Sequence, residues 1–180
     1  QWILPAPLAN PGMLEMFRYR DRLPYPNQKP WAGEFAGKYL THAVLVLRLT
    51  GDIRLREQLR WFASTLAGLQ DVDGYLGAWP KPWRLRTGAP NCPEPWDAWG
   101  HYHIMLGMIL WHETSGDQGS LTCARRIADM LCDRFLGDGP ERLHGTGEHE
   151  MNLAPVHTLA MLHRITGEQR YLAMALRIVE

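Results

Sequence analysis

Between Pro93 and Gly107 the chain reads PEPWDAWGHYHIMLG, so a proline-rich loop delivers two tryptophans, an aspartate and two histidines onto the start of an apolar helix. Indole rings offer flat faces for stacking, while imidazole and carboxylate groups exchange hydrogen bonds with hydroxyls. The cluster therefore suits a ligand with both faces and edges, such as a sugar. Two residues apart on a helix, His101 and His103 point about 200° away from each other and cannot share one pocket. His101, beside Trp96, Asp97 and Trp99, is the preferred ligand contact, and replacing it with alanine is expected to weaken sugar binding with the fold intact. Asp73 in the DGYL stretch is a turn former or a ligand, and Tyr75 after it is a candidate for lining the pocket. Trp79 and Trp83 in WPKPW form either a stacking platform or a wedge that pins a long loop. Glu148, His149 and Glu150 are consecutive, a poor arrangement for chelating one ion from a helix, and suit capping or solvation. His42, His112 and His163 lie among apolar residues and are expected to make interior or interfacial hydrogen bonds; His144 and His157 have no assigned role.

Those residues need a scaffold, and 180 residues are enough for a single hydrophobic core. Lysine plus arginine and aspartate plus glutamate both number 19, so no net field recruits nucleic acid or an anionic membrane, and a neutral ligand fits more easily. The three cysteines, Cys92, Cys123 and Cys132, do not make a disulfide framework. Nine residues apart on one helix, Cys123 and Cys132 fall on opposite faces and cannot ligate one metal, so they read as small buried hydrophobes. No apolar run is long enough to span a membrane and no signal peptide is visible, which leans the localisation towards the cytoplasm without fixing it. The chain starts with Gln1 and stops inside a helical pattern, and it is expected to be a piece of a longer protein.

Residues 1–30 carry six prolines, leave room only for a short turn of helix at Met13 to Arg20, and read as an arm laid over the core. Residues 31–180 read as three helical hairpins. Apolar residues recur at helical spacing from Gly33 to Leu49, with Phe35, Ala36, Tyr39, Leu40, Ala43 and Leu47 in register, and again up to about Leu69. The pattern returns at Ala98 to Thr114 with Leu121 to Phe135, and at Ala154 to Ile165 with a helix from Arg170 onward. The hairpin turns are Thr50-Gly51-Asp52, Ser115-Gly116-Asp117 and Thr166-Gly167-Glu168, in which a left-handed-tolerant glycine ends one helix and an acidic residue starts the next. The turns are 65 and 51 residues apart, so this is no fixed-period array. Two long links, 70–97 and 136–150, join successive hairpins and belong at the same end of the assembly, where binding groups collect on loops.

The stretches WAGEFAGKYLTHAVLVLRLTGD (31–52), QDVDGYLGAW (70–79), WDAWGHYHIMLGMILWHETSGD (96–117) and LAMLHRITGEQRYLAMA (159–173) resemble the glycoside hydrolase family 127 typified by β-L-arabinofuranosidases. The resemblance implies an all-α fold, an (α/α)6 barrel of six hairpins of which the three here form about half. It also implies hydrolysis of a terminal β-L-arabinofuranosyl or related linkage, with a carbohydrate as partner. The histidine that opens the third stretch in typical members contacts the sugar and matches His101. A second sugar-contacting histidine, near the start of the fifth helix, is matched by Asn152, with Glu150 close by. That change alters which hydroxyl is recognised. The likeness also suggests Glu34 as a sugar-hydroxyl acceptor, where its position alone suggests only a favourable interaction with the helix dipole. The family's cysteine nucleophile, held by zinc with further Cys and Glu ligands, falls in the second half of the barrel. Acid and nucleophile are therefore expected beyond residue 180, zinc in the full-length protein, and no metal in this segment.

Two other readings share the helical pattern. An N-acylglucosamine-2-epimerase-like protein is also an α/α toroid and uses histidines as acid and base. A non-catalytic helical-repeat module would bind a peptide rather than a sugar, although three unequal hairpins with long aromatic loops make poor solenoid material. Half a toroid leaves an apolar flank to be covered by the rest of the protein, by another chain, such as a second copy in a homo-oligomer, or by a rearranged core.

Overall fold

The three acidic hairpin turns build one local structure each time. In the computed structural model, which describes residues 2–180, Gly51, Gly116 and Gly167 take left-handed φ values of 64°, 76° and 75°. Thr50, Ser115 and Thr166 each donate their hydroxyl to the carbonyl four residues back, at 2.9, 2.7 and 2.7 Å, and accept the amide two residues on. Asp52 then caps its helix by accepting from the Arg54 and Leu55 amides, and Asp117 by accepting from Ser120. Substituting such caps costs about 1 kcal/mol each, enough to fix where the helices start.

The helices so bounded are α3 (Glu34–Thr50) with α4 (Ile53–Ala67), α5 (Asp97–Ser115) with α6 (Gln118–Phe135), and α8 (Pro155–Thr166) with α9 (Gln169–Val179). Two short helices precede them, α1 (Ala6–Ala9) and α2 (Gly12–Arg18), and the single turn α7 (His149–Asn152) leads into α8. Among the described residues there is no β-strand, only an isolated bridge between Ala89 and Cys92. No helix among the described residues is long and apolar enough to cross a membrane. The arm carries one more helical turn than its prolines predict, and it lies on the core through Leu14 and Phe17, with α2 against α3.

Two layers result. Helix α5 packs on α3 and on α8, forming an inner layer; α6 packs on α4 and on α9, forming an outer one. Glycines set the inner spacing. A Cβ at Gly37 would land on the backbone of His103 and Ile104, and one at Gly107 would press on Leu40 and the Gly37 carbonyl, so α3 and α5 run parallel with their backbones nearly touching. The space between layers is filled by residues such as Leu40, Leu59, Phe62, Met105, Ile127 and Phe135, all essentially inaccessible to water. Phe35, in register on paper, is instead exposed on the far side of α3.

The histidines of α5 and α8 close two of the turns. His112 Nδ1 lies 3.0 Å from the Asp117 carbonyl and His163 Nδ1 lies 3.1 Å from that of Glu168. A carbonyl can only accept, so each ring donates from Nδ1. His42 makes the analogous contact to the Lys38 carbonyl on its own helix, at the surface rather than in the interior.

Candidate functional site

The start of α5 carries a sealed polar node. Asp97 Oδ2 accepts from the Tyr75 hydroxyl at 2.9 Å and from the Leu85 amide at 2.8 Å; Tyr75 in turn accepts from the Trp79 amide at 3.1 Å. The Leu76 amide donates to His101 Nε2 at 3.2 Å, which leaves the ring proton on Nδ1, 2.8 Å from the Asp97 carbonyl. His101 is 0% exposed and Tyr75 1%. Burial, followed by the neighbouring Asp97 carboxylate, pushes the Tyr75 phenol well above its usual range, so it serves as a permanent donor. Behind it Arg84 stacks on the Tyr75 ring, 4.2 Å from its centroid, and pairs with Asp71 at 2.6 Å and Asp21 at 2.7 Å. Burial alone would raise the Asp71 pKa, but Arg20 and Arg84 together hold it below the usual carboxylate value.

Several sequence expectations change here. Tyr75, 1% exposed, belongs to the core rather than to a pocket wall. Both nitrogens of His101 are committed to backbone partners, so the residue pins the first long link to α5 and presents no free edge to a ligand. Asn152, also 0% exposed, accepts from the Trp99 amide at 3.3 Å and donates to the Pro95 carbonyl and the Thr146 hydroxyl, both at 3.4 Å. It staples the second link to the same helix end. Asp73 forms a turn, accepting from the Tyr75 amide at 3.0 Å, and sits beside Arg126 and Asp129 of the outer helix α6. Glu150 is exposed on α7. The wedge reading suits Trp79, which is buried with Ala89 and Cys92 beneath the loop.

A different face gathers free polar groups. Along α5 the only incompletely buried positions after Trp99 are Tyr102, His103, Leu106 and Leu110 until the last turn, a single helical stripe. Trp99 Nε1 donates a short hydrogen bond to Glu34 Oε2, and Glu34 Oε1 pairs with Lys38 at 2.9 Å. Lys38 stands over the Trp99 ring at 5.5 Å. The His103 ring meets Trp99 edge-on at 4.4 Å and Tyr102 at 4.8 Å, and the Tyr102 hydroxyl reaches His157 of α8 at 3.4 Å. His103 Nε2 is buried without a partner. Burial, and then Lys38, lowers the His103 pKa to about 4, so the ring is neutral near pH 7 and offers one donor and one acceptor.

Of the sequence candidates, then, Glu34 and Trp99 come together, while Tyr75, His101 and Asn152 belong to the scaffold beneath them. His103, to which the sequence prefers His101, joins the face together with Tyr102, Lys38 and His157. The i, i+4 pairs Trp99/His103 and Glu34/Lys38 were a visible signal of one shared face. Among the described residues no group of three His, Cys, Asp or Glu is placed to hold a metal ion. Cys123 and Cys132 are buried thiols, pushed by burial up to about 12 and about 11 and so protonated near pH 7.

Comparison with known proteins places this geometry in context. Over 153 residues the chain is 28% identical to a non-reducing end β-L-arabinofuranosidase of Bifidobacterium longum subsp. longum, covering 79% of this chain and 22% of that protein. Its fold superposes on a GH127 β-arabinofuranosidase with a TM-score of 0.74 at 20% identity, covering 98% of this chain and 29% of the other. It also superposes on a GH127 β-L-arabinofuranosidase from Geobacillus stearothermophilus T6 with a TM-score of 0.69 at 18% identity, covering 93% and 26%. The chain thus spans about a quarter of the length of the proteins it matches. The all-helical layering of α3, α5 and α8 against α4, α6 and α9 is consistent with the (α/α)6-barrel-like fold of those proteins. The model of the β-L-arabinofuranosidase GH127 catalytic domain matches residues 4–180, and the chain belongs to that family.

Proposed function

We propose that the full-length protein is a glycoside hydrolase that removes a terminal β-L-arabinofuranosyl group, and that this segment supplies part of the sugar-binding surface. The observation that carries the reading is the Glu34–Trp99–His103 cluster on the open face of the inner helices of a chain from this family. A furanose ring needs a flat apolar surface and several hydrogen-bond partners of both kinds. Trp99 offers the first; Glu34 accepts, Lys38 donates, and neutral His103 does both. Because Glu34 is held by the Trp99 indole and Lys38 together, it is oriented before the ligand arrives, which lowers the ordering cost of binding.

Hydrolysis of a glycosidic bond requires an acid for the leaving oxygen and a nucleophile or base on the opposite side of the anomeric carbon. We place both beyond residue 180, together with any zinc-held thiolate, because no residue of the present cluster pairs these roles. The residues described here bind and orient the sugar. Incubation of the full-length protein with p-nitrophenyl β-L-arabinofuranoside tests the reading: release of nitrophenol at a rate well above the α-L-linked isomer is expected, and release from the α-linked isomer alone would overturn it.

A further inference from the structure

The two long links meet around a second, separate feature. A cavity of about 480 Å³ opens between them, bordered by Leu85 and Arg86 of the first link, by Glu141, Arg142 and His144 of the second, and by Arg134 of α6. Three guanidinium groups face one carboxylate there. Arg134 is locked in place, donating to the Arg84 and Leu85 carbonyls at 2.9 and 3.0 Å and reaching Glu141 at 3.5 Å. Arg142 is braced on the Gly139 and Glu141 carbonyls. Arg86 is exposed and has no hydrogen bond or ion pair among the described residues, and neither does the His144 ring, which rests against His149.

The wall that carries Arg86 is fixed and strained. Leu85 has φ 50°, a left-handed conformation that a γ-branched residue rarely adopts, and it is held there from both sides. Its amide donates to Asp97 and its carbonyl accepts from Arg134. The cavity is also coupled to the sugar-binding face. The Thr146 hydroxyl at its edge accepts from Asn152, and Asn152 accepts from the Trp99 amide.

We propose that this cavity receives a carboxylate-bearing sugar, a uronic acid unit of the glycan that carries the terminal group. This rests on the hydrolase reading above and deepens it. Guanidinium forks match a carboxylate in charge and shape. The space far exceeds a bare anion and suits a sugar ring. The position two hydrogen bonds from Trp99 suits a neighbour of the sugar bound on the inner face.

Calorimetric titration of the full-length protein with D-galacturonic acid, D-galactose, acetate and inorganic phosphate tests the proposal. Galacturonic acid is expected to bind at least about tenfold more tightly than the other three, and Arg86→Gln to weaken it by about tenfold with an unchanged melting temperature, since that guanidinium holds nothing in the fold. Three results would overturn the assignment: no binding of galacturonic acid, binding of acetate or phosphate just as tightly, or unchanged affinity in Arg86→Gln. Because none of these readouts uses hydrolysis, failure to cleave an arabinofuranoside would fell the enzymatic reading separately.

Discussion

The Leu76 amide and His101 Nε2 lie 3.2 Å apart across a sequence distance of 25 residues, and this contact ties the long first link to the inner layer. Its partner nitrogen is equally committed, to the Asp97 carbonyl. Removing the imidazole strands a buried amide and leaves a cavity at a position with no access to water. We expect His101→Ala to lower the unfolding free energy by about 2 to 4 kcal/mol. Chemical denaturation measures it, and a loss under about 0.5 kcal/mol would mean that the link is held without this pin.

His103, two residues on, predicts the opposite pattern. Its Nε2 has no protein partner, so its removal breaks no hydrogen bond of that atom in the fold. In the full-length protein His103→Ala should leave the melting temperature nearly unchanged and weaken sugar binding roughly tenfold to a hundredfold, the scale of a lost buried hydrogen bond. Titration with L-arabinose or the Michaelis constant for an aryl arabinofuranoside provides the check. An unaltered affinity removes His103 from the site.

Gly37→Ala tests the inner spacing, where two effects oppose each other. Alanine improves helix propensity by about 1 kcal/mol. Its Cβ, however, meets the His103 carbonyl and the Ile104 amide, which are helix backbone and cannot swing aside. Overpacking of this kind costs about 1 to 3 kcal/mol, and more where backbone must move. A net destabilisation is expected, seen as a lower melting temperature and, because His103 shifts with its carbonyl, weaker sugar binding. A more stable variant would show that α3 and α5 separate freely.

Much of this architecture was legible because its signals are local. A left-handed glycine followed by an acidic residue defines each hairpin turn within three residues, and Gly51, Gly116 and Gly167 all behave as their neighbours dictate. The division of labour between His101 and His103 was not legible. Helical geometry correctly sets them on different faces, but which one is sealed depends on the Leu76 amide, in a link with no periodicity to reveal its path. The same holds for Asn152, whose three partners lie in the second link, at Pro95 and at Trp99. Glu34 and Trp99 are 65 residues apart, and only the close packing of α3 on α5 brings the carboxylate under the indole.

The pH response of the sugar-binding face follows from His103. Burial lowers its pKa to about 4 in the folded protein, against about 6.5 in an unfolded chain. Between those values the unfolded state binds the extra proton and the folded state does not, so folding loses stability as pH falls through that window and gains nothing further above it. The neutral ring that accepts from a sugar hydroxyl also persists down to about pH 5. Sugar affinity of the full-length protein should therefore be flat from pH 8 to about pH 6 and decline as pH approaches 4, once the ring takes up a second proton and can no longer accept. His103→Gln, which keeps a donor and an acceptor but does not titrate, should remove that acid decline while retaining part of the affinity. Titrating the two proteins side by side at pH 4.5 and 7 decides the matter: an equal acid loss in both would assign the decline to a group other than His103.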